Sequence, residues 1–182
     1  MDSDRCVYCH ETETGTVIFA IHIDDIFSIA DPPKENANFK ALLCSKWEIS
    51  DLGPAKFALG IAIERNLDKC SIHLSQTAFI NRLIKRFNLS EAHPTDTPMV
   101  QGLLVCHPDK SIPVDPEVAA WVDATPYQEL VGSLNYIAVA TRPNISFAVG
   151  CLASVLDCYR PEHWSAALRV LQYLKGTCYY ER

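Results

Sequence analysis

Two neighbouring carboxylates, Asp24 and Asp25, sit near the middle of Thr16 to Ala30, a run that is otherwise apolar and β-branched apart from His22 and Ser28. Adjacent aspartates repel and lose water when fixed at the edge of a core, a cost that a cation or a basic partner offsets. The chemistry within reach of such a pair is divalent-cation binding. The competing reading is an exposed turn, where aspartate is favoured for local hydrogen bonding. Charge is distributed unevenly: residues 1–31 hold Asp2, Asp4, Glu11, Glu13, Asp24, Asp25 and Asp31 against Arg5 alone, out of a chain total of 22 acids and 16 bases. The net charge of -6 therefore reflects a local acidic region, which fits an ion site and a solvated acidic terminus alike.

The elements that must position the pair follow from the pattern around it. Apolar residues on both sides of a two-residue acidic centre predict two strands joined by a tight turn at Asp24–Asp25. Asp31–Pro32–Pro33 stops the second strand, and Phe39, Leu42, Leu43 and Trp47 then follow the stripe of an amphipathic helix. After the turn at Asp51–Leu52–Gly53–Pro54, Lys56 to Glu64 and Ser71 to Leu74 predict a second hairpin across 66–69, and Gln76 to Phe87 a helix. Pro94 to Trp121 holds five prolines and little periodicity, which predicts a long irregular connection. Three helices should follow: Pro126 to Ala140 capped by Thr125, Ile145 to Cys158, and Glu162 to Lys175 closed by Gly176.

Other residues could meet a ligand. Gln128, Gly132 and Tyr136 recur at spacings of four, so they share one helix face, with Asn135 beside them. An amide, a mid-helix glycine and a phenol make a poor core stripe but a good polar surface; alternatively, Gly132 lets two helices pack closely. Phe57 to Ile61 alternate as plain strand core does; read instead as a contact surface, Gly60, lacking a Cβ, is the expected close-approach point of the second hairpin. Arg82, Lys85 and Arg86 could meet phosphates or form a solvated helix face. Cys6–Val7–Tyr8–Cys9–His10 satisfies the pattern of covalent haem attachment, but no signal peptide precedes it and no second ligand pair for zinc follows.

Length and composition set the frame. A chain of 182 residues, 48% hydrophobic and 21% charged, has the composition of a globular protein and can bury a substantial core. The eight cysteines are expected as reduced thiols, most of them acting as small core hydrophobes, in an intracellular setting. Leu130 to Leu156 is nearly uncharged, but Arg142–Pro143–Asn144 interrupts it, whereas a membrane span needs about 20 apolar residues; two packed helices are expected instead.

Ile21–His22–Ile23–Asp24–Asp25–Ile26 resembles the aromatic-x-Asp-Asp palm motif of reverse transcriptases, with His22 where tyrosine is usual. Its order and spacing are shared with further blocks similar to those of copia-type retrotransposons. These are Asp51–Leu52–Gly53, Phe57–Ala58–Leu59–Gly60–Ile61, Leu74–Ser75–Gln76, Thr97–Pro98–Met99, Leu130 to Tyr136, Thr141 to Ile145, and His163–Trp164 leading to Tyr173–Leu174–Lys175–Gly176–Thr177.

The resemblance implies an α+β fold: a partial right-hand polymerase palm of β-hairpins and helices (1–93), an irregular proline-rich connection (94–124), and an all-helical thumb-like subdomain (125–182). It implies that Asp24 and Asp25 are catalytic and bind two magnesium ions together with a third aspartate. It also places His22, Phe57, Leu59, Gly60, Gln128, Gly132, Asn135 and Tyr136 along an RNA template and DNA primer duplex. The expected partners are that duplex, deoxynucleoside triphosphates, and the fingers, remaining palm and ribonuclease H parts of a Pol polyprotein, with no membrane. The expected location is a cytoplasmic particle or the nucleus. Only 23 residues precede Asp24, so the fingers and the first palm aspartate are expected to be missing and the chain to be inactive alone. A rival reading is a non-catalytic remnant or a co-opted nucleic-acid- or protein-binding module.

Overall fold

Apolar, largely β-branched runs broken by tight turns drive the first element group into a meander. Strands β1 (Val7–Glu11), β2 (Thr16–His22) and β3 (Asp25–Asp31) form an antiparallel sheet in the order β1-β2-β3, in a computed structural model that describes residues 4–100 and 115–179. The register pairs Phe19 with Tyr8 and Ser28, and Ile18 with Cys9 and Ile29. Helix α1 (Pro33–Lys46) begins with proline in its first turn, where a missing N–H costs nothing. It packs Phe39 against Phe19, ring centroids 4.8 Å apart, and Phe19 stacks on Tyr8 at 5.1 Å. The expected stripe is only half used, since Leu42 and Trp47 are exposed and Trp47 lies beyond the helix end. The opposite sheet face, carrying Ile18 and Ile29, is also exposed. These elements belong to one compact unit, Met1–Ala55; a second unit spans Lys56–Arg182.

The second unit opens with another three-stranded antiparallel sheet, β4 (Phe57–Ala58), β5 (Ile61–Asn66) and β6 (Ser71–Ser75). Here the structure corrects the expected single strand from Lys56 to Glu64. The chain folds back at Leu59–Gly60, and Ala58 pairs with Ile61. Both turn residues have positive φ, 51° and 79°, as a type I′ hairpin loop requires; the glycine was the available sign of it.

Helices α2 (Thr77–Arg86), α4 (Tyr127–Ala140), α5 (Ser146–Ala153) and α6 (Pro161–Gly176) surround the main core. Leu130, Leu134, Ile137, Leu152, Leu171 and Leu174 are at most 1% exposed, each worth about 1.5–3 kcal/mol in burial. Helix α3 (Pro116–Ala124), capped by the Asp115 side chain on the Glu117 N–H, occupies part of the stretch expected to be irregular; 101–114 lies outside the described residues. Thr125 closes α3 rather than capping α4, which has no side-chain cap, and the helix expected to reach Cys158 ends at Ala153.

Two basic side chains hold helix ends in the second unit. Arg142, 3% exposed, donates to the Thr177 carbonyl at 2.7 Å, the Thr177 hydroxyl at 2.6 Å and the Asn144 amide oxygen at 3.2 Å. Asn144 in turn donates to the Tyr173 hydroxyl at 2.7 Å. The Thr141–Ile145 block thus clasps the end of α6. At the end of α2, Asn88 takes φ 57°, Leu89 N–H bonds the Ile84 carbonyl and Asn88 N–H the Lys85 carbonyl, the pattern of a Schellman stop. The Lys175 ammonium then donates to the carbonyls of Leu89, Ser90 and Ala92. Of the seven described cysteines, only Cys178 is buried and Cys6, Cys9, Cys44 and Cys70 are exposed, so most are not the core residues expected. Among the described residues no helix is long and apolar enough to cross a membrane.

Candidate functional site

Strands β2 and β3 bring the acidic pair to a hairpin tip, one residue displaced from the expected position. The two-residue loop is Ile23–Asp24, while Asp25 opens β3 opposite His22. Strand alternation places Asp25 and His22 on the same sheet face as Ile18 and Ile29, opposite the face that holds Phe19. Ile23 has φ 52° and is 84% exposed. A β-branched residue in the left-handed region is strained, and such strain concentrates at functional tips and turns.

Both carboxylates are exposed. Neither side chain has a hydrogen-bond or ion-pair partner among the described residues, and no basic residue neutralises them. Two exposed like charges a few ångströms apart repel by only about 1 kcal/mol in water, so the fold tolerates the pair without a cation. Oxygen ligands on a rigid strand pair fit a hard divalent ion such as magnesium. The described residues contain no group of three or more His, Cys, Asp or Glu able to hold a metal; Asp24 and Asp25 are two adjacent carboxylates. Cys6 and Cys9 lie at and within the exposed edge strand, both as free thiols.

In the second unit the structure joins Tyr136 to the Leu59–Gly60 turn, which the sequence placed separately from it. The Tyr136 hydroxyl on α4 donates to the Leu59 carbonyl at the hairpin turn. A Cβ built on Gly60 would lie 3.0 Å from that hydroxyl oxygen. Gly60 is therefore a close-approach point, and its neighbour is Tyr136. Phe57, before the turn, and Leu59, within it, stay exposed. Gln128, Gly132 and Asn135 are exposed along α4, while Tyr136 is half-buried. A Cβ on Gly132 would meet nothing within 4 Å, so this glycine serves no close helix packing and leaves open surface.

The three basic residues of α2 separate. Arg86 is committed to Glu129, Nε to Oε1 at 3.1 Å and Nη2 to Oε2 at 3.2 Å. Arg82 lies over the Phe79 ring at 5.3 Å, and Phe79 meets Tyr136 edge-on at 5.4 Å. Lys85 is exposed. Burial pushes the Tyr127 phenol well above its ordinary pKa, and its hydroxyl donates to the Leu152 carbonyl; this residue is core rather than site.

Comparison with known proteins places this arrangement in a class. The family described as Reverse transcriptase (RNA-dependent DNA polymerase) matches residues 1–101, more than half of the chain. The Retrovirus-related Pol polyprotein from transposon TNT 1-94 of Nicotiana tabacum is 35% identical over 176 residues, 96% of this chain and 13% of that protein. The corresponding polyprotein from transposon RE1 of Arabidopsis thaliana is 31% identical over 175 residues, 96% of this chain and 11% of that one. The chain therefore belongs to the copia-type reverse transcriptases of retrotransposon Pol polyproteins, and it spans roughly a tenth of the length of these two relatives. No solved structure matches it.

Proposed function

We propose that this chain supplies the Asp-Asp hairpin and the helical, thumb-like part of an RNA-directed DNA polymerase, working within a Pol polyprotein. The observation that carries the reading is the strained, exposed β2–β3 tip bearing two carboxylates that have no partner among the described residues. In this reading residues 1–93 are the C-terminal palm part, 94–124 the connection and 125–182 the thumb-like part.

Asp24 and Asp25 would hold magnesium, which when bound lowers the pKa of a primer 3′-hydroxyl and stabilises charge at the transferred phosphoryl group. The chain contributes two of the three carboxylates, so a third comes from outside the described residues. Strand pairing fixes Asp25, and the two-residue loop it closes carries Asp24 beside it, so little ordering remains when the cation arrives. His22, paired across the ladder with Asp25, lies beside the tip to meet the primer sugar. Phe57, Leu59 and Gly60 present a narrow turn toward the primer, and Gln128, Gly132, Asn135 and Tyr136 line the duplex. The partners are a template–primer duplex, deoxynucleoside triphosphates and the other polyprotein domains, in a cytoplasmic particle or the nucleus.

The test is magnesium-dependent primer extension on an RNA template. This 182-residue chain is compared with a longer Pol product containing it and with the Asp24→Asn form of that product. Extension is expected from the longer wild-type product alone. Undiminished extension by the Asn form removes Asp24 from the chemistry; failure of every product favours a non-catalytic binding module.

A further inference from the structure

Helices α2 and α4 touch at two points seven residues apart on each. Phe79 meets Tyr136, and Arg86 meets Glu129 through both guanidinium contacts. The order is reversed on the two helices, so they run antiparallel along two turns. Midway between the contacts lie Arg82 on α2 and Gly132 on α4. The seam between the helices therefore has an exposed arginine on one wall and, roughly level with it, a glycine beside which a Cβ would touch nothing within 4 Å.

Arg82 makes no ion pair among the described residues; its guanidinium lies over the Phe79 ring, 5.3 Å from the centroid. Such stacking restricts a long side chain while leaving its N–H donors free. Phe79 in turn touches Tyr136, which holds the Leu59 carbonyl, so the cation is linked by contact to the β4–β5 turn. Arg86 cannot play this part, because Glu129 neutralises it.

From this juxtaposition we propose that Arg82 is a phosphate-binding residue. It grips one backbone phosphate of a nucleic-acid strand that follows the α2–α4 seam, and Gly132 gives that strand room to approach the α4 backbone. The inference rests on the reading that the α4 face meets a duplex, and it names the charge that holds the duplex there. A guanidinium suits a phosphodiester because its planar donors match two phosphate oxygens. Contact with phosphate rather than base edges makes the interaction independent of sequence.

The experiment measures binding of a fluorescein-labelled RNA–DNA hybrid to the 182-residue chain by anisotropy across a salt series, with two unrelated hybrid sequences. The proteins compared are wild type, Arg82→Gln, Arg82→Lys, Asn135→Ala and Lys69→Gln, the last an exposed charge in the β5–β6 connection, at the opposite end of β5 from the Gly60 turn. Loss of one phosphate contact lowers the slope of log K against log salt by about one and weakens binding roughly fivefold to tenfold near 0.1 M salt. Arg82→Gln is expected to show both effects equally on the two hybrids, Arg82→Lys to regain most of the slope, and Lys69→Gln to leave it unchanged. If Asn135→Ala weakens binding while Arg82→Gln does not, the Arg82 assignment fails and the α4 reading stands. Equal losses in Arg82→Gln and Lys69→Gln reduce the effect to net charge and overturn the assignment. No binding by the wild type removes the α4 reading and this inference together.

Discussion

Replacing Gly60 with alanine tests whether the β4–β5 turn and α4 are one mechanical piece. The turn holds Gly60 at φ 79°, a conformation that costs an L side chain about 1–2 kcal/mol. The added methyl would also sit 3.0 Å from the Tyr136 hydroxyl oxygen, which must then move and give up its bond to the Leu59 carbonyl, a loss of about 1 kcal/mol. Together these give a destabilisation of about 2–3 kcal/mol for Gly60→Ala. Tyr136→Phe alone should cost about 1 kcal/mol, the hydrogen bond only. In the double variant the hydroxyl is gone and the methyl has space, so its cost should fall short of the sum by about 1 kcal/mol. Urea unfolding followed by tryptophan fluorescence measures this, in a Trp47→Phe background so that Trp121 and Trp164 report the second unit. Strict additivity, or a Gly60→Ala cost below about 0.5 kcal/mol, the scale of an ordinary surface change, would refute the coupling.

The remaining predictions concern a buried clasp and a strained tip. Arg142→Met removes three side-chain hydrogen bonds from a site 3% exposed and leaves the Thr177 carbonyl without that donor; a loss of about 3 kcal/mol in the same urea assay is expected. Arg142→Lys should recover part of it, whereas an unchanged midpoint would show that the clasp contributes nothing. Ile23→Gly relieves the φ of 52° at an exposed position, and after the entropy of glycine is counted a gain of about 0.5–1 kcal/mol is expected. In the longer Pol product the same change should slow primer extension, since the tip loses its fixed geometry; a faster enzyme would contradict the idea that strain serves the site.

The outline of both hairpins and of the three C-terminal helices was legible because apolar periodicity and glycine or proline punctuation are local signals. What escaped depends on partners far along the chain. The alternation in Lys56 to Glu64 looks continuous, and only the positive φ at two successive residues shows that the chain doubles back at Leu59–Gly60. A leucine in that conformation gives no warning in the sequence. Arg142 and Lys175 could be read as surface cations, yet each spends its donors on carbonyls at helix ends, a use visible only once α2 and α6 are packed. The α1 stripe failed differently: Phe39 found Phe19, while Leu42 and Trp47 kept their exposure, because periodicity states which residues share a face and not whether anything covers it.

The same separation between local and distant signals explains why the acidic tip was the most legible feature. A hairpin is set by residues adjacent in sequence, so β-branched strands and a two-residue loop suffice to display two carboxylates without help from the rest of the fold. Electrostatics then leave those carboxylates unpaired: a basic neighbour would lower the repulsion but would also compete with any incoming cation. A protein using the pair only as a turn would gain from glycine at position 23, which removes the strain, and from a lysine nearby, which removes the repulsion. The described residues offer neither, and that combination of tolerated strain and unpaired charge is the physical support for the proposal that the tip binds metal.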